Sequence, residues 1–254
     1  MKFLIDHELI PAGIALVGVC IAIYTDLRRR IIPNKLNFSM ILFGVIFYLL
    51  LGLNSGNFIT AISGVLGAAI CFVIGYALWL TGGWAGGDVK LFTALGALLY
   101  GYNMPVGNPI YPIPLTILFN SIIVTIPVLL IYALIRFIQG KKAFYDQVKI
   151  TELKEGMIPA ETIYEKDGKI GRWSSRLFLK KEWDKTYTNP KRASGLTRYQ
   201  VGVLKKLVRA GKIENHIKIK KGLPFAPALG AGVFITVFYG DIYWQLLFWL
   251  FGYV

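Results

Sequence analysis

Long apolar runs, broken by short polar clusters, dominate the pattern of this chain. Six of them have or approach the length of roughly 17–25 residues that crosses a bilayer as a helix. They cover residues 9–25, 36–53, 58–80, 89–100, 110–137 and 223–239. The fourth is short for a crossing, although the glycine-rich turn ahead of it can lengthen it. A last apolar piece, residues 242–254, is rich in Trp and Tyr and too short to cross alone; it is expected to lie at an interface, where such aromatics concentrate.

Residues 139–222 follow a different pattern. Asp167-Gly168, between Ile163-Tyr164 and Ile170, reads as a hairpin turn. Thr197 with Gln200 three residues on reads as a capping box. It would open a helix over 198–210, with Val201, Leu204, Leu207 and Val208 on one face and Gly211 at its end. Ile213, Ile217 and Ile219 suggest a short strand. The expected fold is an all-α polytopic membrane protein of about six transmembrane helices. A small soluble α+β insert separates the fifth from the sixth. The division is 1–138 as membrane domain, 139–222 as insert, and 223–254 as the sixth helix with its interfacial tail.

Composition supports the membrane reading, at 55% hydrophobic with mean hydropathy +0.55. Charge then sets orientation, because cytoplasmic loops are enriched in Lys and Arg. Arg28, Arg29, Arg30 and Lys35 follow the first segment, and Lys90 follows the third. Residues 139–222 hold 21 Lys/Arg against 9 Asp/Glu, a net of +12. The connections 54–57 and 101–109 carry no charge. All basic connections fall on one side if the N-terminus is outside, which makes the insert cytoplasmic and the chain a multi-pass protein of the cell membrane. The net charge of +14 is thereby accounted for without nucleic acid as a partner; anionic lipid headgroups are the natural partner of the basic insert. The first residues set Lys2 against Asp6 and Glu8, unlike the positive start of a signal peptide. Cys20 and Cys71 lie inside apolar runs with no CxxC, and His7 and His216 are far apart, so neither a metal nor a cofactor is expected.

Topology filters the acids. Asp6, Glu8 and Asp241 fall on the outer side and nine acids fall in the insert. Asp26 and Asp88 remain, at the cytoplasmic membrane edge. A carboxylate beside membrane-grade sequence is costly unless it is used or solvated. Two such acids on one face can share the work of activating a water and protonating a leaving group. On topology alone they equally suit interfacial polar residues, or ion-handling or packing groups of a transporter or assembly subunit.

The motifs around them discriminate. Ala85-Gly86-Gly87-Asp88-Val89-Lys90 resembles the GxGD signature of membrane aspartic proteases, specifically the prepilin and preflagellin (prearchaellin) peptidases. Asp26-Leu27-Arg28-Arg29-Arg30-Ile31-Ile32-Pro33-Asn34 resembles the other half of that family's site. Pro224-Phe225-Ala226-Pro227-Ala228-Leu229 is similar to its C-terminal PFxPAL-type segment, and the insert is similar to the long loop of archaeal members. Ala85 departs from the strict motif, which has glycine there; a need for positive φ at that position would break the signature. A presenilin-like or signal-peptide-peptidase-like reading fits less well, because Tyr24-Thr25-Asp26 is one residue off the Tyr-Asp pair and Ile-Pro-Asn follows.

The resemblance implies an archaeal aspartic endopeptidase with Asp26 and Asp88 as the catalytic pair, no metal and no cofactor. It would cleave short basic leaders from pilin-like or archaellin precursors at the cytoplasmic membrane face. No paired CxxC segment accompanies it, so no N-methyltransferase activity is expected. Gly86 and Gly87 would set Asp88 against Asp26, and Pro33 and Asn34 would shape the turn into the second segment. Lys90 would stabilise charge, touch lipid phosphate or anchor the edge. Pro227, Ala228 and Leu229 would line substrate entry. Glu152, Glu155, Glu161 and Glu165 are the local acids that would attract a basic leader to an otherwise basic face.

Overall fold

The computed structural model describes residues 7–81, 83–107, 109–140, 145–173, 182–190, 195–220 and 225–251. Asp6, Gly82, the Gly222 that ends the expected insert, and the Leu223 and Pro224 that open the sixth expected segment lie outside the described residues. The chain divides into two compact units, one comprising Met1–Leu80, Trp84–Ile131 and Pro224–Val254, the other Thr81–Gly83 and Tyr132–Leu223. The helices are α1 (Leu9–Arg29), α2 (Asn34–Ser55), α3 (Phe58–Leu80), α4 (Gly86–Leu99), α5 (Ile113–Ile138), α6 (Arg198–Arg209), α7 (Ala226–Phe238) and α8 (Ile242–Phe251). Four of them, α1, α2, α3 and α5, are long and apolar enough to cross a membrane. α4 and α7, with 14 and 13 residues, are only ~20 Å long.

Two boundaries differ from the sequence reading. α1 continues to Arg29, so Asp26 lies within its last turns instead of after its end. Arg30 stops the helix in a left-handed conformation (φ 56), its N–H donating to the Asp26 carbonyl at 2.9 Å. α4 begins at Gly86, so the glycines ahead of Asp88 are its first helical residues and not a flexible turn.

The first unit is built around α4. Val89 and every residue from Leu91 to Leu99 are buried. Membrane helices gain little from apolar burial against lipid and associate through close contact of small residues. α3 buries such a stripe in Gly64, Gly67, Cys71 and Gly75. A Cβ on Gly67 would sit 2.1 Å from the Gly96 carbonyl oxygen, and one on Gly44 of α2 would sit 2.5 Å from that of Ala97. The backbones therefore touch, and Tyr48 of α2 donates its hydroxyl to the Leu98 carbonyl at 3.0 Å. α4 is short because protein, not lipid, surrounds it.

Polar contacts collect at the two ends of this bundle. At one end Glu8 accepts from the N–H and Nδ2 of Asn103, and Tyr102 donates to the Val237 carbonyl. There the fully buried Asp241 accepts from Tyr111, Thr116 and the Trp244 N–H at 2.6–2.8 Å. Asn120 of α5 donates to Thr236 and to the Gly240 carbonyl, and accepts from the Ile242 N–H. This network joins α5, α7 and α8. Asp26, Asn34, Asp88 and Ala226 meet at the other end.

The second unit holds two antiparallel sheets. β1 (Tyr145–Val148), β6 (Ile217–Lys220) and β2 (Ile158–Pro159) form one; β4 (Lys169–Trp173), β3 (Thr162–Lys166) and β5 (Lys185–Thr186) form the other. Asp167 (φ 49) and Gly168 (φ 72) make the two-residue turn between β3 and β4; both take the positive φ that matches a hairpin's twist. Thr197 and Gln200 cap α6 reciprocally, and Gly211 (φ 67) follows its end. Ile150, Leu153, Ile163, Leu196, Val201, Leu204 and Ile217 form the core of this unit. Ile213 packs on that core outside β6, so the suggested strand begins only at Ile217.

Candidate active site

Helical periodicity carries Asp26 inward. α1 buries Ala12, Ala15, Val19, Ala22 and Asp26, steps of three and four residues that fall on one face. Asp26 thus continues a stripe of small side chains and is only 8% exposed. Its Oδ2 accepts the Ala226 N–H, the first amide of α7, at 3.3 Å. The first amides of a helix lack intrahelical partners and readily meet a carboxylate.

Asp88 is the third residue of α4 and is 7% exposed. Its Oδ2 accepts the Ala85 N–H at 3.0 Å, and its own N–H donates to the Ala85 carbonyl at 3.1 Å. Ala85 itself is extended (φ −85, ψ 159), a conformation open to any residue, so alanine replaces glycine there without strain. Phe225 adjoins the Ala226 that holds Asp26, Trp84 adjoins the Ala85 that holds Asp88, and the Trp84 and Phe225 rings lie 4.9 Å apart. Two buried acids from different helices therefore share one end of the bundle.

The surrounding residues fix the approach. Gly86 has open space where a side chain would be, and a Cβ on Gly87 would only touch Ile32 at 3.5 Å. Neither glycine is forced by crowding from protein; together they leave bare backbone beside Asp88. Pro33 caps α2 with extended backbone (ψ 130). Asn34 accepts from the Lys90 ammonium at 2.8 Å, and that ammonium also lies 5.7 Å from the Phe38 ring centroid. Lys90 thus ties α4 to α2, a partner that the sequence reading did not foresee. In the Phe225–Leu229 run, the contact to Asp26 comes from Ala226. Pro227, in the first turn of α7, removes no helical hydrogen bond there, Ala228 is half-buried and Leu229 is fully buried in the core.

Sequence reasoning missed the aromatic wall. Trp84 is buried, packs edge-on against Phe92 at 5.4 Å and lies 4.9 Å from Phe225, joining the start of α4 to the start of α7. A tryptophan amid four glycines was the available signal. The four acids of the insert differ in their surroundings. Glu161 is buried, paired with Arg172 at 3.6 Å and accepting from the Lys218 N–H. Glu165 accepts from Tyr187, the exposed Glu155 pairs with Arg198 at 3.6 Å, and Glu152 is exposed.

The type IV leader peptidase family matches residues 13–130, and the archaeal Peptidase A24 C-terminal domain matches residues 120–219. The chain is 26% identical to a prepilin peptidase, EppA, of Methanothermobacter thermautotrophicus, over 96% of this chain and 97% of that protein. It is 33% identical to the preflagellin peptidase of Methanococcus voltae over 58% of this chain and 64% of the relative. The preflagellin peptidase of Methanocaldococcus jannaschii is also 33% identical, over 50% and 57%. The long apolar helices suggest a membrane protein, and these matches support a protease. Residues 13–130 are thus similar to the type IV leader peptidase family, and residues 120–219, which include most of the second unit, to an archaeal C-terminal domain of such peptidases.

Proposed function

We propose that this protein is an aspartic endopeptidase that removes the short basic leader of pilin-like or archaellin precursors at the cytoplasmic face of the membrane. The observation that supports the reading is that Asp26 and Asp88, both buried, lie at one end of the helical bundle, their backbone partners Ala226 and Ala85 joined through the Phe225–Trp84 contact. One carboxylate accepts a proton from water as the oxygen attacks the scissile carbonyl. The other, protonated, donates to the carbonyl oxygen; collapse of the tetrahedral adduct then expels the amine, which takes up a proton. The scheme needs one proton between the two carboxylates, one ionised and one protonated. No metal enters the scheme.

In this reading α4 and α7 are the fourth and sixth crossings. Each is shorter than the hydrocarbon core of roughly 30 Å, and α4 is shielded by its neighbours. The basic residues Arg28–Arg30 and Lys90 support a cytoplasmic position for the aspartate end. A precursor's apolar helix stays in lipid while its leader junction reaches Asp26 and Asp88 at that depth. The bare backbone at Gly86 and Gly87 gives an extended leader junction room to lie beside Asp88.

Reconstituted in proteoliposomes with a leader-bearing precursor, the enzyme is expected to release one new N-terminus at the leader–helix junction, read by mass spectrometry. EDTA is expected to leave the rate within about twofold, because carboxylates alone activate the water. Cleavage inside the apolar helix would favour the signal-peptide-peptidase-like alternative, and loss of activity with chelator would argue for a metal.

A further inference from the structure

Asn37 in the first turn of α2 is fully enclosed, and neither its Oδ1 nor its Nδ2 has a hydrogen-bond partner among the described residues. Leaving a buried polar group unmet is costly, whereas an apolar side chain of the same shape would cost nothing. Other buried polar side chains of this unit escape the problem. Thr93, Ser121 and Thr236 each return the hydroxyl to the carbonyl four residues back. A carboxamide that does not do so points to a partner outside its own helix.

Register locates that partner. α2 buries Asn37, Met40, Gly44 and Tyr48 as one stripe. Toward one end of the stripe, Met40 lies against Gly18 of α1 and Gly44 against Ala97 of α4. One turn in the other direction, Asn34 holds Lys90 of α4. Asn37 is bracketed by these contacts. α1 runs antiparallel to α2, so the step from Met40 to Asn37 moves along α1 from Gly18 toward Ala22 and Asp26. α4 runs parallel, so the same step moves along α4 toward Asp88.

We infer that Asn37 is a positioning residue for the carboxylate pair. Its Nδ2–H donates to a carboxylate oxygen of that pair when the seated substrate closes the site, and this fixes the carboxylate toward the attacking water. The inference rests on the proposed aspartic peptidase activity. Hydrogen bonds of catalytic groups commonly tighten only in the substrate complex.

The test measures kcat, KM and thermal unfolding of the full-length enzyme in proteoliposomes. Wild type and Asp88→Asn run alongside as controls. Asn37→Leu is expected to melt at or above the wild-type temperature. Its kcat is expected to fall roughly ten- to a hundredfold, the worth of a hydrogen bond to a charged group, with KM within about threefold. A merely structural Asn37 would give the opposite result, an apolar replacement with kcat within threefold of wild type, and that overturns the inference. Should Asn37→Leu fail to fold, the isosteric pair Asn37→Thr and Asn37→Val decides. Thr at least fivefold faster than Val supports the role, and equal rates overturn it. If wild type itself does not cleave, the proposed function falls instead.

Discussion

At the scale of single residues, the position most open to doubt was Ala85. Its extended backbone removes the need for glycine, and its N–H orients the Asp88 carboxylate through a bond that any residue but proline can make. Ala85→Gly is therefore expected to keep cleavage within about threefold and to lower stability by no more than ~1 kcal/mol, the added backbone entropy of glycine. Ala85→Pro is expected to lose the bond to Asp88 and most activity. Lys90 is read differently once its partner is known. Its hydrogen bond to Asn34 means that Lys90→Met and Asn34→Ala should weaken the α2–α4 junction by similar amounts, and the double variant should cost less than their sum, checked by thermal unfolding. Asp26 and Asp88 were legible in the sequence because acids at the edges of apolar runs are conspicuous. Asn37 was not, because an asparagine near a helix start looks like ordinary capping until its burial is known.

At the scale of elements, α4 decides the fold. Its length in sequence marked it as a poor crossing, and the physical reason is that other helices enclose it. Periodicity could not reveal this, since a helix buried all round has no polar face to betray its orientation. The glycines of α3 were equally silent: their meaning is the backbone contact with Gly96, which exists only after folding. Gly67→Leu is expected to destabilise the bundle by at least ~3 kcal/mol, the upper range for overpacking, with activity falling as the folded fraction falls. The Asp241 network makes a complementary prediction at the opposite end. Asp241→Ala strands Tyr111, Thr116 and the Trp244 N–H, and is expected to cost ~2–4 kcal/mol while leaving kcat of the remaining folded enzyme within about twofold. Thermal unfolding beside kinetics separates the two effects.

At the scale of the whole molecule, two compact units share one chain. The hairpin and the capped helix of the second unit were legible because turn and cap chemistry are local: Asp167-Gly168 and Thr197/Gln200 carry their geometry in four or fewer residues. The pairing of β1 with β6, across some seventy positions, is non-local and left no such mark. The first unit brings residues from the first, second, fourth and seventh helices to one end. The proposed activity stands on that convergence: two acids more than sixty residues apart would act on one bond. Cleavage of a leader-bearing precursor in membranes containing wild type, Asp26→Asn or Asp88→Asn tests it most directly, with equal amounts of folded enzyme verified. The account predicts that each single substitution lowers the rate by at least roughly a hundredfold, since each removes one half of the proton transfer. Cleavage near the wild-type rate by either variant would contradict it.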